Sequence, residues 1–104
     1  MDIRQLSYLV ALAREKHFTR AAEACFVSQP TLSARVRQLE DELGAQIVLR
    51  GQRYHGLTPE GERVLRWAQR ILKDFDAMRQ DLAMLSEAPE GRLTLGVIQS
   101  AMPC

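Results

Sequence analysis

No apolar run among these 104 residues approaches the ~18 that suggest a membrane span, so no membrane partner is expected. The opening Met1-Asp2-Ile3-Arg4 lacks the charged-then-apolar plan of a secretory leader, which points to a cytoplasmic chain. Cysteine is scarce. Cys25 and Cys104 stand far apart and match no metal-ligand spacing, so neither a metal nor a cofactor is expected. Cys25 lies in an alanine-rich helical stretch and reads as a small buried hydrophobe; a redox or metal role is the lesser alternative. The two histidines, His17 and His55, are isolated, with no partner at triad or metal spacing. His17 reads as a capping or surface residue beside a helix end. No glycine-rich phosphate loop follows a strand. These absences argue against an enzyme.

A large excess of one charge is missing too. The net charge is +1, and its distribution says more than its total. Residues 1–58 hold eight Lys/Arg against six Asp/Glu, whereas residues 59–104 hold six against seven. Residues 28–39 carry Arg35 and Arg37 and no acid, and residues 46–56 carry Arg50, Arg53 and His55, again with no acid. What is present is the balance of a globular protein, 46% hydrophobic and 26% charged.

The apolar pattern predicts a mainly α chain. Ile3, Leu6, Leu9, Val10 and Ala13 recur at helical spacing, predicting a first helix over about Ile3–Glu15. A short second helix, about Arg20–Cys25, starts from Thr19 as its cap, with Phe18 anchoring its start on the core. Its run Ala21-Ala22-Glu23-Ala24 favours helix and leaves room for close packing. Phe26-Val27 forms an apolar bend. Ser28 then caps a third helix, with Pro30 tolerated in the first turn, and Leu32, Val36, Leu39 and Leu43 as its buried stripe. Gly44 suits the left-handed position past its end. Residues 45–49 read as a short strand, 50–56 as a polar loop and Leu57 as the start of a return strand, making a β-hairpin wing. Thr58-Pro59-Glu60 opens a long helix to about Leu85. Residues 86–91 read as a linker and Arg92–Ile98 as a strand.

Three short helices and a wing make a core too small for a catalytic cleft. A helix, a tight bend and a capped helix match the helix-turn-helix plan, whose second helix lies in the major groove of double-stranded DNA. Beside its buried stripe the third helix carries Gln29, Thr31, Ser33, Arg35 and Arg37, all polar and none acidic. A glutamine amide can pair with adenine N6 and N7, and arginines with guanine or phosphate. Ser28 and the helix N-terminus favour phosphate. Arg50 and Arg53 in the wing suit a minor groove, where narrowness concentrates negative potential. An ordinary solvated helix face has the same composition, and a module that docks on proteins is the competing reading.

From Val64 onward, Ala68, Ile71, Phe75, Met78, Leu82 and Leu85 follow at alternating steps of four and three. That is a heptad seam, predicting a homodimer through this helix. The first turn, through Val64, Leu65 and Trp67, is expected to pack on the chain's own core. Two recognition helices then read an interrupted inverted repeat with half-sites about one helical turn apart.

Phe18-Thr19-Arg20-Ala21-Ala22, Val27-Ser28-Gln29-Pro30-Thr31-Leu32-Ser33, Val36-Arg37-Gln38-Leu39-Glu40-Asp41-Glu42-Leu43-Gly44 and Leu57-Thr58-Pro59-Glu60-Gly61 together resemble the N-terminal module of LysR-type transcriptional regulators. The resemblance covers residues 2 to about 98. It implies a winged helix-turn-helix domain over residues 1–58, a dimerising linker helix over 59–85 with an antiparallel partner, and over 86–104 the start of an effector-binding domain of periplasmic-binding-protein type. Of that domain only the strand Arg92–Ile98 is expected here, so the chain is expected to bind DNA without sensing a small-molecule effector; dimers of a full-length protein could pair into tetramers. The family's base-contacting positions fall on Gln29, Pro30 and Ser33, and its wing arginine on Arg53. Two departures stand out. Ala34 occupies a position where many relatives carry arginine, and Val48-Leu49 lacks the usual glutamate before Arg50, which leaves the wing base more positive. Residues 24–33 are similar to peroxide-responsive members, whose sensing cysteines the resemblance places in the domain that is missing here.

Overall fold

The computed structural model describes residues 1–49, 51 and 53–86, which form four helices: α1 (Ile3–Glu15), α2 (Phe18–Ala24), α3 (Gln29–Leu43) and α4 (Pro59–Ser86). The chain divides into two units. Met1–Leu72 holds α1, α2, α3 and the start of α4; in the unit that begins at Lys73, the described residues to Ser86 are helical. The expected strand Arg92–Ile98 and most of the linker before it lie outside the described residues.

α1 starts because Asp2 caps it. The Asp2 carboxylate accepts from the Arg4 N–H at 3.1 Å, and the Gln5 side chain returns a bond to the Asp2 N–H at 2.8 Å. Gln5 is itself buried, and its amide donates to the Arg35 carbonyl at 3.4 Å and reaches the Gln38 side chain at 3.5 Å, tying α1 to α3. Leu6, Leu9 and Leu12 supply the buried stripe, with Leu12 deeper than the expected Ala13. α2 begins two residues earlier than the sequence suggests. His17, not Thr19, is its cap: the imidazole Nδ1 accepts from the Arg20 N–H at 3.2 Å. A ring nitrogen serves here as a serine or asparagine oxygen would, and the earlier start brings Phe18 into the helix, packed against the core. Ala21 and Ala22 are fully buried, and their small side chains let three helices meet.

The bend after α2 is closed by two backbone bonds, from the Phe26 N–H to the Glu23 carbonyl at 3.1 Å and from the Val27 N–H to the Ala22 carbonyl at 3.0 Å. This pattern normally has glycine in its left-handed position. Here Phe26 occupies it, at φ 60° and 94% exposed. α3 then runs to Gly44, which turns left-handed at φ 67°. Leu32, Val36 and Leu39 are buried, but Leu43, expected in the same stripe, is 42% exposed at the helix end.

The expected β-hairpin is reduced to one antiparallel bridge, Val48 to Leu57, and no strand forms among the described residues. The reason lies in what takes the backbone groups. The Ile47 N–H, which would continue the pairing toward Thr58, bonds to the Glu40 carboxylate at 2.8 Å, as does the Val48 N–H, which points away from Leu57, at 3.0 Å; the Thr58 carbonyl is taken by the Glu62 N–H of α4, and Gly51 and Gly56 turn the chain at positive φ. The Thr58 hydroxyl donates back to the Gln46 carbonyl and accepts from the Gly61 N–H at 2.9 Å, so it starts α4 and closes the loop together. Gly61 has no room for a side chain: a Cβ there would sit 2.1 Å from the Ile47 carbonyl oxygen. Val64, Leu65 and Leu72 pack on the core, whereas Trp67, expected beside them, is 60% exposed. Ala68, expected on the pairing seam, is instead fully buried in the first unit, since its small side chain lets α4 lie close to the core. No helix among the described residues is long and apolar enough to cross a membrane.

A phenylalanine held left-handed stores about 1–2 kcal/mol, which asparagine largely avoids. Replacing Phe26 with asparagine is therefore expected to raise unfolding stability by up to ~1 kcal/mol in urea titration. A loss of stability would show that the exposed ring contributes to the fold.

Candidate nucleic-acid interface

α3 presents two flanks beside its buried stripe. At 100° per residue, Gln29, Ser33, Arg37 and Glu40 follow one another along one flank, and Thr31, Arg35 and Gln38 along the other. The first flank faces the loop. Gln29, Ser33 and Arg37 line a shallow groove with Phe18 from α2 and with Val48, Leu49 and Gly51 from the segment after α3. Thr31 and Arg35 do not line it, so the five polar positions of α3 are not one surface. Arg35 is half-buried and Arg37 is exposed.

Each side chain at the start of α3 has a defined role before any ligand arrives. Ser28 accepts from the Thr31 N–H at 3.3 Å and its hydroxyl donates to the Thr31 hydroxyl at 2.9 Å, so these two groups cap the helix together. Gln29 donates from Nε2 to Ser33 Oγ at 2.8 Å. Pro30 is exposed at the second helical position, where the missing N–H costs no hydrogen bond.

The loop that borders the groove is held from three sides. Glu40 grips its first end through the Ile47 and Val48 N–H groups. The Leu49 N–H donates to the Gly56 carbonyl at 3.0 Å and the Thr58 N–H to the Ile47 carbonyl at 2.9 Å, which fixes its ends side by side. Tyr54 anchors the middle, its ring packed edge-on against Phe18 with centroids 6.3 Å apart. Burial pushes the Tyr54 hydroxyl pKa up, and the Glu62 carboxylate adds to the rise, so the ring stays neutral. The His55 ring lies close against Gly51, where a Cβ would come within 2.6 Å of it. Arg53 is exposed on this loop. Arg50 lies outside the described residues.

Glu40, Gln5, Tyr54 and Gly61 were not singled out from the sequence. Tyr54 had left a trace, a lone aromatic ring in an otherwise polar loop; Glu40 had left none, because an acid at a helix end reads as solvent-facing. Cys25 is half-buried and free; burial raises its thiol pKa, and the nearby Arg14 charge pulls it part of the way back. Among the described residues no three His, Cys, Asp or Glu side chains gather where a metal could bind.

Along α4, Ile71 is 36% exposed, Met78 51%, Leu82 56% and Leu85 69%. The Phe75 ring is half-buried, with the Arg79 guanidinium 5.7 Å from its centroid. Likewise Arg70 lies 5.8 Å from the Trp67 ring.

α2, the tight bend and the capped α3, packed on α1, constitute a helix-turn-helix. The chain belongs to the lysR family of bacterial regulatory helix-turn-helix proteins, whose pattern matches residues 3–62. It is 42% identical over 103 residues to the hydrogen peroxide-inducible genes activator of Dickeya chrysanthemi, a match that takes in 99% of this chain and 34% of that protein. The chain thus spans about a third of the length of that relative. Its structure is similar to that of a full-length OxyR variant from Pseudomonas aeruginosa, with 46% identity and a TM-score of 0.77 over 84% of this chain and 29% of that one. It is also similar to the BenM DNA-binding domain in complex with benA site 1 DNA, with 36% identity and a TM-score of 0.79 over 85% of this chain and 99% of that one.

Removing the Glu40 carboxylate leaves two backbone donors without their acceptor. Glu40→Ala is expected to cost about 1–3 kcal/mol of stability and to speed hydrogen exchange at the Ile47 and Val48 amides. Unchanged protection of both amides would show that the loop is held without Glu40.

Proposed function

We propose that this chain is the DNA-reading and pairing portion of a cytoplasmic transcriptional regulator that binds an interrupted inverted repeat as a homodimer. In this reading residues 1–58 read DNA, residues 59–85 pair two copies, and residues 86–104 lead into an effector-binding domain. α3 lies in the major groove with Gln29, Pro30 and Ser33 toward base edges and Arg37 toward phosphate. Ser28, Thr31 and Arg35 stand at its phosphate-facing margin. The loop after α3 acts as the wing, with Arg53 in the minor groove and Arg50 as a further cation of the wing.

One observation carries the reading. The flank of α3 that borders the loop brings Gln29, Ser33 and Arg37 into one groove, where Glu40, the acid that also lines it, is held in place by the Ile47 and Val48 N–H groups. An amide, a hydroxyl and a guanidinium displayed together suit a polyanion that presents donors and acceptors. The bound BenM domain, which shares this architecture, supports the assignment. Pairing is supported by the exposure of Met78 and Leu85 on α4, apolar side chains that a second helix would cover. Cys25 does not line this groove.

Selection of random duplexes at moderate salt is expected to recover an interrupted palindrome with half-sites about one turn apart. Recovery of nothing above background would overturn the reading in favour of a protein-docking module. Arg53→Ala is expected to weaken binding and to flatten the log–log salt slope by about 0.9 per half-site; an unchanged slope removes the wing from the contacts. Phe75→Asp is expected to give monomers in sedimentation velocity, and a persisting dimer would place the pairing face elsewhere.

A further inference from the structure

Gln29 and Ser33 stand four residues apart on α3, and Gln29 Nε2 donates to Ser33 Oγ at 2.8 Å. Both residues are half-buried. A primary amide offers two N–H donors and an oxygen with two lone pairs. The bond to Ser33 uses one donor. What remains is one N–H beside one acceptor oxygen, the pattern that complements adenine N7 and the N6 amino group in the major groove. Because Ser33 Oγ is the acceptor, the amide nitrogen is turned toward it and the oxygen away from it. The neighbouring Ser28 hydroxyl does not compete for this amide, since it is engaged with Thr31 as both donor and acceptor. Ordering a free glutamine side chain opposes binding through lost rotamer freedom, and a side chain already held by an intrahelical bond has less to lose.

We propose that Ser33 is a positioning residue that sets the rotation of the Gln29 amide, so that the adenine preference of each half-site depends on Ser33 acting through Gln29. The inference rests on the assignment of α3 as the base-reading helix. Ser33, placed above among the base-facing positions, acts there through Gln29 and not through a base of its own.

Random-duplex selection with the whole chain tests this. It is run in parallel for the wild type, Gln29→Ala, Ser33→Ala and the double variant. Alanine is a good helix former, so both single variants keep α3, as circular dichroism would verify. Gln29→Ala identifies the position that Gln29 reads, as an adenine whose preference of about 5- to 150-fold is lost. Ser33→Ala is expected to collapse the preference at that same position to within about 3-fold, with the other positions intact and with the double variant no worse than Gln29→Ala alone. A Ser33→Ala profile that keeps this adenine overturns the proposal. So does one that changes a different position, because Ser33 would then read its own base. A uniform loss of affinity with base preferences intact overturns it as well, by assigning Ser33 to phosphate. If Gln29→Ala itself alters no position, or alters one that is not adenine, the base assignment of α3 fails and the proposal falls with it.

Discussion

The Glu40 carboxylate is the contact on which the groove beside α3 depends. It leaves α3 close to that helix's end and accepts both backbone N–H groups that begin the next segment. A charged acceptor with two backbone donors is among the stronger hydrogen-bonding arrangements a protein can build. It does two things together. It fixes where the chain after α3 begins its return, and it engages the acid of a flank that otherwise displays an amide, a hydroxyl and a guanidinium. The groove between α3 and the loop takes its shape from the same pair of bonds.

Most of the helical architecture could be read from the sequence. Capping oxygens, the proline in α3, Gly44 and the threonine–proline start of α4 are local signals, set by bonds within a turn of the chain. The departures have a common origin in contacts between distant residues. The cap of α2 fell on His17 because Phe18 is drawn into the core. Leu43 kept the helical spacing of its stripe but stands exposed at the end of α3. Ala68 kept the heptad spacing but is consumed by the first unit's own packing. Periodicity identifies a face and leaves open what covers it.

The loop shows the limit from the other side. Alternating apolar residues and flanking glycines read as a hairpin, and the ends do meet as one would, at Val48 and Leu57. A ladder needs its backbone groups free, and here Glu40 had already taken the Ile47 N–H and the first turn of α4 the Thr58 carbonyl. Of the residues expected to read DNA, Gln29, Ser33 and Arg37 meet in one groove, while Thr31 and Arg35, equally polar and as close in sequence, fall on the other flank. Polarity and spacing named the helix; only the 100° turn per residue separates its two flanks.

The bridge at Val48–Leu57 and the Thr58 hydroxyl together act as a clasp. Every bond that fixes the ends of the loop lies at or below Leu49 and Gly56. The exposed positions between them can therefore be recharged without disturbing the clasp, whereas Tyr54, packed against Phe18, has to stay. Neither α3 nor the start of α4 has to move when this happens. The fold thus leaves an exposed position such as Arg53 open to substitution, while Tyr54 and the clasp hold the path of the loop around it.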